Sequence, residues 1–372
     1  MLGQMKNLLL MEDFEQSSLL RSDLLFKIVA LTPMVMEKLN YYGYKYSIPG
    51  DYYVWREDKE YTRKFQQWLV NLEHFLIDCY PMLHALDVNI TTHCISMLKN
   101  TMDAFVRKGK QFQAILNKEN PDEVYYQVMP GKVDVLDDQL WFDGKSLFNR
   151  FAETLGEMVS FIYVYSSKKQ EGVINWRDNF YIRTLYDFFR YCDFIPSWKG
   201  KRRYLFASMT PGVRAFKLKG LWCEVATDYD IGDYRMDHVI PDLIVEELSS
   251  ITGIDVVVTD VLLRKRLDHF VNVIVPKILG YKLRWEGYLF KNNISAVIFT
   301  RRNKLYQYGL LLAARGLGIP IVYVKHGWQA YDNWCNDWSR LKVFDYLVTH
   351  VESDRLFFSK RVEENNWKCE VL

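Results

Sequence analysis

The chain has few cysteines for its 372 residues, and the six (Cys79, Cys94, Cys192, Cys223, Cys335 and Cys369) include no C-x-x-C pair. That scatter excludes a disulfide framework and a zinc finger, and it suits a reducing compartment. Charge of one sign is equally scarce. Lys and Arg number 48 against 46 Asp and Glu, a formal charge of +2. A balance so near neutral supplies no basic field for bulk nucleic-acid binding, and nucleic acid is not an expected partner. Long hydrophobic runs are missing too. The longest apolar candidate, Leu24–Met36, carries Lys27 and Pro33 and falls short of the roughly 20 residues a bilayer needs. The N-terminus shows no basic region followed by an apolar stretch, so no secretory signal is read. The expectation is a cytoplasmic protein without a transmembrane segment, at the inner face of the membrane if its aromatic surface makes peripheral contact. No Walker A sequence, G-x-S-x-G elbow or H-E-x-x-H pair occurs. Gly316-x-Gly318 precedes a strand, whereas a dinucleotide fingerprint follows one.

What is present is material for a core. Hydrophobic residues make up 49% of the chain and aromatic residues 16%, enough for two ordinary domains or one domain with a large insertion. The most informative stretch is Asn293–Asp354. Its three apolar runs, Ala296–Phe299, Ile319–Val324 and Phe344–Val348, are too short and too β-branched for helices. Between the first two, Lys304–Arg315 puts Leu305, Tyr308, Leu311 and Leu312 on one side of a helix. Gly316 and Gly318 stop it, and Pro320 begins the next strand. Strand, helix and strand joined by short loops form a βαβ unit, which implies a parallel sheet. Ligands of such sheets sit beyond the carboxyl ends of the strands. The polar residues placed there are Thr300-Arg301-Arg302, Lys325-His326-Gly327 and Thr349 through Ser353.

Upstream, Asn7–Met11 reads as a first strand and Leu24–Asn40 as a helix kinked at Pro33. Tyr61, Phe65, Trp68, Leu69, Leu72, Phe75, Leu76 and Cys79 keep a 3.6-residue period and define a long amphipathic helix; Cys94, Leu98, Met102 and Phe105 mark another. His74, His84 and His93 are not spaced as ligands from one helical face, and read as satisfied or exposed. Val124–Val128 is a short strand, with a turn at Asp143-Gly144. Helices are expected at Lys145–Phe161 and Trp176–Cys192, with a polar loop, Ser166–Gly172, between them. Pro196–Lys201 looks like a boundary. Beyond it come strands at Tyr204–Ala207, Leu221–Ala226 and Asp255–Val258.

Four constellations bear on chemistry. His326 directly follows a buried strand, and Gly327 lets a ligand approach the backbone closely. An imidazole there can take a proton from an attacking hydroxyl, although the same spacing fits a core histidine tied to a carbonyl. Arg301 and Arg302 have the guanidinium forks to grip phosphate or an acidic sugar, and they equally fit a solvated loop. Arg264-Lys265-Arg266 reads more simply as a charged helix face. Asp228-x-Asp230 matches the D-x-D pattern that holds Mg²⁺ or Mn²⁺ in metal-dependent glycosyltransferases, or a polar loop with Asp233 and Asp237.

The strand-His-Gly element, preceded by G-x-G-I-P and followed by Asp345-Tyr346 through Glu352-Ser353, resembles the middle of a GT-B-type transferase. It is most similar to bacterial surface-carbohydrate and capsule biosynthesis proteins and the CDP-glycerol glycerophosphotransferase-like group, over about residues 290–360. The resemblance implies a doubly wound, Rossmann-like parallel sheet of the GT-B amino-domain type with a helix-rich N-terminal region. It divides the chain into 1–195, an α/β region with long aromatic helices; 196–354, the Rossmann-like core; and 355–372, the opening of a truncated C-terminal domain. A second Rossmann-like domain, which would hold the donor, is then missing, since about twenty residues cannot form one.

It further implies transfer of a glycosyl or glycerophosphate-type group from a nucleotide-activated sugar or glycerol donor to a carbohydrate or lipid-linked acceptor. His326 would be the base. Gly327, Lys325, Arg301, Arg302, Glu352 and Ser353 would line the substrate site, with no cofactor. The alternatives are a metal-dependent transferase using Asp228 and Asp230, a sugar-nucleotide epimerase, and a non-catalytic acceptor-binding or scaffold module.

Overall fold

A computed structural model describes residues 6–14, 26–56, 59–85, 89–128, 147–155, 161–165, 203–207, 223–226, 234–300, 304–325, 343–349 and 351–372. The chain divides into two compact units, each assembled from three stretches. The first comprises Met1–Leu72, Met97–Lys169 and Val239–His269, the second Glu73–Ser96, Gln170–His238 and Phe270–Leu372.

The first unit holds a four-stranded sheet of β1 (Asn7–Met11), β2 (Phe26–Ala30), β3 (Glu123–Val128) and β4 (Phe161–Tyr165) in the order β2-β1-β3-β4. All three pairings are parallel. The run NLLLM suits the place next to the middle, because every residue of β1 is buried and successive side chains alternate between faces. On one face Leu9, Met11, Ile28 and Ala30 pack with Val35 and Leu39 of helix α1 (Pro33–Tyr41). Leu8, Leu10 and Val29 point the other way and are equally buried.

Two sequence expectations are corrected here. Leu24–Asn40 is not one kinked helix: Phe26–Ala30 is a strand in register with Asn7–Met11, and Pro33 begins α1. A proline has no N–H to lose in a first helical turn, and Thr32 caps that turn by accepting from the Val35 N–H. The helix expected over Lys145–Phe161 is α5 (Leu147–Leu155), and Phe161 instead opens β4, where FIYVY pairs with β3. The long periodic segments form as expected, as α2 (Lys59–Cys79) and α4 (Ile95–Glu119), with the short α3 (Ile90–His93) before the latter. Phe151 of α5 stacks on Phe112 of α4 and lies tilted against Phe105, and Phe148 lies tilted against Phe112.

A third correction concerns Asp255–Val258, expected as a strand. Helix α6 (Asp242–Thr252) ends at Gly253, in the left-handed region at φ +65°, and Asp255 then caps helix α7 (Val256–Thr259). Its Oδ1 accepts from the Val257 and Val258 N–H groups, so a side-chain cap overrides the strand preference of three consecutive valines. A π-helical turn (Asp260–Arg264) and α8 (Lys265–His269) follow.

The second unit holds a six-stranded sheet of β5 (Arg203–Phe206), β6 (Cys223–Val225), β7 (Ile294–Phe299), β8 (Ile321–Val324), β9 (Tyr346–Val348) and β10 (Glu370–Val371). The order is β10-β9-β8-β7-β5-β6, and every pair is parallel. All six of these strands fall on runs read as strands from the sequence, β10 on Cys369–Leu372, which reads like a strand just begun. Helix α9 (Val275–Lys291) leads into β7, and α10 (Leu305–Gly316) connects β7 to β8 as the βαβ pattern predicts. Residues 355–372, read from the sequence as opening a further domain, include most of α11 (Glu352–Glu364) and place β10 beside β9 at the edge of this same sheet.

The expected turn at Asp143-Gly144, loop at Ser166–Gly172, helix at Trp176–Cys192 and boundary at Pro196–Lys201 lie outside the described residues. Among the described residues no helix is long and apolar enough to cross a membrane.

Helices α9 and α10 meet at Gly309. A Cβ there would lie 2.4 Å from the Tyr281 Cβ and 2.8 Å from the Ile278 carbonyl oxygen. Helix propensity alone would have Gly309→Ala gain roughly 1 kcal/mol. Overlap with backbone outweighs it, and we expect a loss of about 1–3 kcal/mol. A lowered urea midpoint at unchanged slope is the expected reading; a raised midpoint would contradict this crossing.

Candidate functional site

In an all-parallel sheet the carboxyl ends share one edge, with neighbouring strands about 4.8 Å apart. In the second sheet that edge is formed by residues directly after β5, β7, β8 and β9: Ala207, Thr300, Lys325 and Thr349. The winding reverses between β5 and β7, since β6 lies to one side of β5 and every later strand to the other. This is the switch point at which doubly wound sheets open a crevice.

The first turn of α10 is anchored at that crevice. The Gln307 side chain donates to the Ala207 carbonyl (2.8 Å) and accepts from the Lys304 N–H (3.1 Å), while the Tyr306 hydroxyl donates to the same carbonyl (3.2 Å). The positive end of a twelve-residue helix is thereby held over the end of β5. Sequence reading missed Tyr306 and Gln307. The only signal was the glutamine three residues after the cap position, half of a capping box whose other half is a lysine.

Lys325 was expected to face an anionic substrate, and its charge is committed elsewhere. The residue is 4% exposed, as is Asp354 in the first turn of α11, and the two side chains form a buried ion pair. The Lys325 ammonium also lies 5.1 Å from the Phe358 ring centroid. Its backbone N–H donates to the Val348 carbonyl (2.9 Å), extending the β8–β9 ladder one step beyond β8. The physical reason for the correction is burial: a cation removed from water needs an anion at once, and Asp354 provides it. Lys325 thus acts in positioning the chain that leaves β8.

His326 and Gly327 follow Lys325 directly and lie outside the described residues, as do Arg301, Arg302, Asp228 and Asp230. Arg301 and Arg302 stand in the chain between Thr300, at the end of β7, and Lys304, which caps α10. Glu352 and Ser353 are exposed in the first turn of α11, past the end of β9. Hydrogen bonds from Arg355 (2.5 and 2.8 Å) hold the Glu352 carboxyl below the usual carboxylate range, so that side chain is anionic and engaged by its neighbour. Among the described residues no group of three or more His, Cys, Asp or Glu is placed to hold a metal ion.

Other candidates resolve into structural roles. His93 is buried, with its Nε2 3.3 Å from the Tyr308 carbonyl and its ring edge-on to Tyr308, a satisfied core histidine; His74 and His84 are exposed. Asp345 lies at the opposite, amino edge, accepting from the Ile321 N–H (2.8 Å) and pairing with Arg315 (3.2 Å). Burial, with Asp345 and Glu370 nearby, pushes the Cys369 thiol up to about 12, which rules it out as a ready nucleophile.

No family model, curated protein or solved structure matches the chain.

The ion pair has a direct test. Asp354→Asn removes the carboxylate that the buried Lys325 ammonium meets and should cost about 3–5 kcal/mol, whereas the paired replacement Lys325→Met with Asp354→Leu should recover most of that. Chemical denaturation of the two variants distinguishes this from a pair open to solvent, for which both losses would stay below about 1 kcal/mol.

Proposed function

We propose that the second sheet is the acceptor half of a GT-B-like transferase, moving a glycosyl or glycerophosphate-type group from a nucleotide-activated donor to a carbohydrate or lipid-linked acceptor. The observation that carries this reading is the fastening of residue 325. With the Lys325 N–H on Val348 and its side chain on Asp354, the chain leaves β8 at the carboxyl edge shared by β7 and β9, and His326-Gly327 come next in the sequence. Support also comes from the resemblance of this strand-His-Gly element to surface-polysaccharide and glycerophosphate transferases.

In this reading the neutral imidazole of His326 takes the proton of the acceptor hydroxyl as its oxygen attacks the activated carbon or phosphorus. The bond to the nucleotide diphosphate, or monophosphate for a glycerophosphate donor, breaks with its electron pair leaving on the phosphate. Arg301, Arg302 and the positive end of α10 offset the charge on that leaving group, with Gly327 admitting the substrate to the backbone. Glu352 and Ser353 suit acceptor hydroxyls rather than phosphate, since a carboxylate repels the donor. In the metal-dependent alternative, Asp228 and Asp230 would hold the donor through Mg²⁺ or Mn²⁺.

The test is transfer of label from CDP-glycerol and nucleotide-diphosphate sugars to a lipid-linked acceptor in membranes. His326→Ala should lower the rate by about 10²–10⁴-fold, and the wild-type rate should rise with pH through the imidazole range because only the neutral ring accepts a proton. Activity should survive EDTA. Transfer unchanged in His326→Ala would refute the base, and transfer abolished by EDTA but restored by Mn²⁺ would favour the aspartates.

A further inference from the structure

The first sheet has a switch point of its own. In the order β2-β1-β3-β4, β2 lies on one side of β1 while β3 and β4 lie on the other, so the winding reverses between β1 and β3. Their carboxyl ends are stitched together. The Glu12 N–H donates to the Gln127 carbonyl (3.0 Å), the Leu31 N–H to the Met11 carbonyl (2.9 Å), and the Thr32 hydroxyl to the Glu12 carbonyl (3.1 Å). The start of α1 is thus fixed over the end of β1.

Gln127 stands at this edge, the last residue but one of β3, in register with Met11. It is 1% exposed, and neither its side-chain oxygen nor its nitrogen has a hydrogen-bond partner. A buried carboxamide with both ends unpaired is rare in folded proteins, because the desolvation of each end goes uncompensated. An apolar side chain of similar size would serve a core better at the same position. A ligand that binds there resolves the conflict.

The surroundings select the ligand's charge. Glu12, 5% exposed, accepts from the Tyr126 hydroxyl (2.8 Å), and Asp13 stands next to it. The first turn of α1 has little to give an anion: Pro33 has no N–H and the Val35 N–H is taken by Thr32. Among the described residues at this edge, these two carboxylates disfavour phosphate. A carboxamide offers an acceptor and two donors side by side, which matches a pair of hydroxyls or a hydroxyl beside an amide.

We propose that the carboxyl edge between β1 and β3 binds a neutral polyhydroxylated ligand, a sugar residue or polyol, with the Gln127 carboxamide hydrogen-bonded to its hydroxyls. The inference does not depend on the chemistry assigned to the second sheet. It adds a carbohydrate-class site on a different part of the chain.

The experiment is ligand-observed NMR on the full chain with glycerol, glucose and N-acetylglucosamine as probes, and inorganic phosphate as the anionic contrast. Saturable binding is the readout, since sugars raise the melting temperature of any protein by exclusion from its surface. At least one neutral probe should bind saturably, and Gln127→Leu should weaken it by roughly tenfold or more while melting no lower than the wild type. Gln127→Met, which keeps the side-chain length, repeats the comparison if the leucine variant does not fold. Absence of saturable binding by every neutral probe, equal affinity in the Gln127 variants, or tighter binding of phosphate would each overturn the proposal.

Discussion

The pairing of Lys325 with Asp354 is the interaction on which the carboxyl edge of the second sheet rests. It joins the residue that leaves β8 to the first turn of the helix that follows β9, so two adjacent strand ends hold a common geometry. A buried pair of this kind contributes little net stability, because removing two charges from water offsets their attraction. Its effect is positional. Each charge is buried and meets the other, so the arrangement that joins them is favoured over those that part them. Helix α10 fastens the neighbouring crevice in the same manner, through the two side chains that converge on the Ala207 carbonyl. What the fold supplies is an edge whose backbone is held from several directions.

Much of this was legible in the sequence. The strands of the second sheet are short, mostly apolar runs, β-branched in β7 and β8, and α2 and α4 keep their period over many turns, so pattern and outcome agree. The misreadings share one cause. Phe26–Ala30, Phe161–Tyr165 and Val256–Thr259 are apolar runs of four or five residues, too short for periodicity to separate strand from helix. Their fates were decided by partners: parallel ladders with β1 and β3 for the first two, and the Asp255 cap for the third.

The site was less legible than the fold. An edge of a parallel sheet can be placed from connectivity alone, which is why Lys325, Glu352 and Ser353 were assigned to it. Whether a charged side chain there faces a ligand or the interior depends on a partner 29 residues further along, and no local pattern announces that partner. Gln127 shows the same limit from the other side. In the sequence it is one polar residue within EVYYQV; only burial without a hydrogen-bond partner makes it conspicuous. Both sheets turn out to reverse their winding after the first pair of strands, although no internal repeat is visible in the sequence.

The proposed function requires the imidazole of residue 326 to stand open to an acceptor alcohol at the carboxyl edge of the second sheet. Ring-labelled histidine NMR, with the His326 signals identified by their loss in His326→Gln, addresses it most directly. The account predicts ring resonances that titrate between about pH 5 and 8 and shift when a lipid-linked acceptor or nucleotide-activated donor is added. Resonances that stay fixed across that range and ignore both ligands would mean a ring enclosed by its neighbours, and would contradict it.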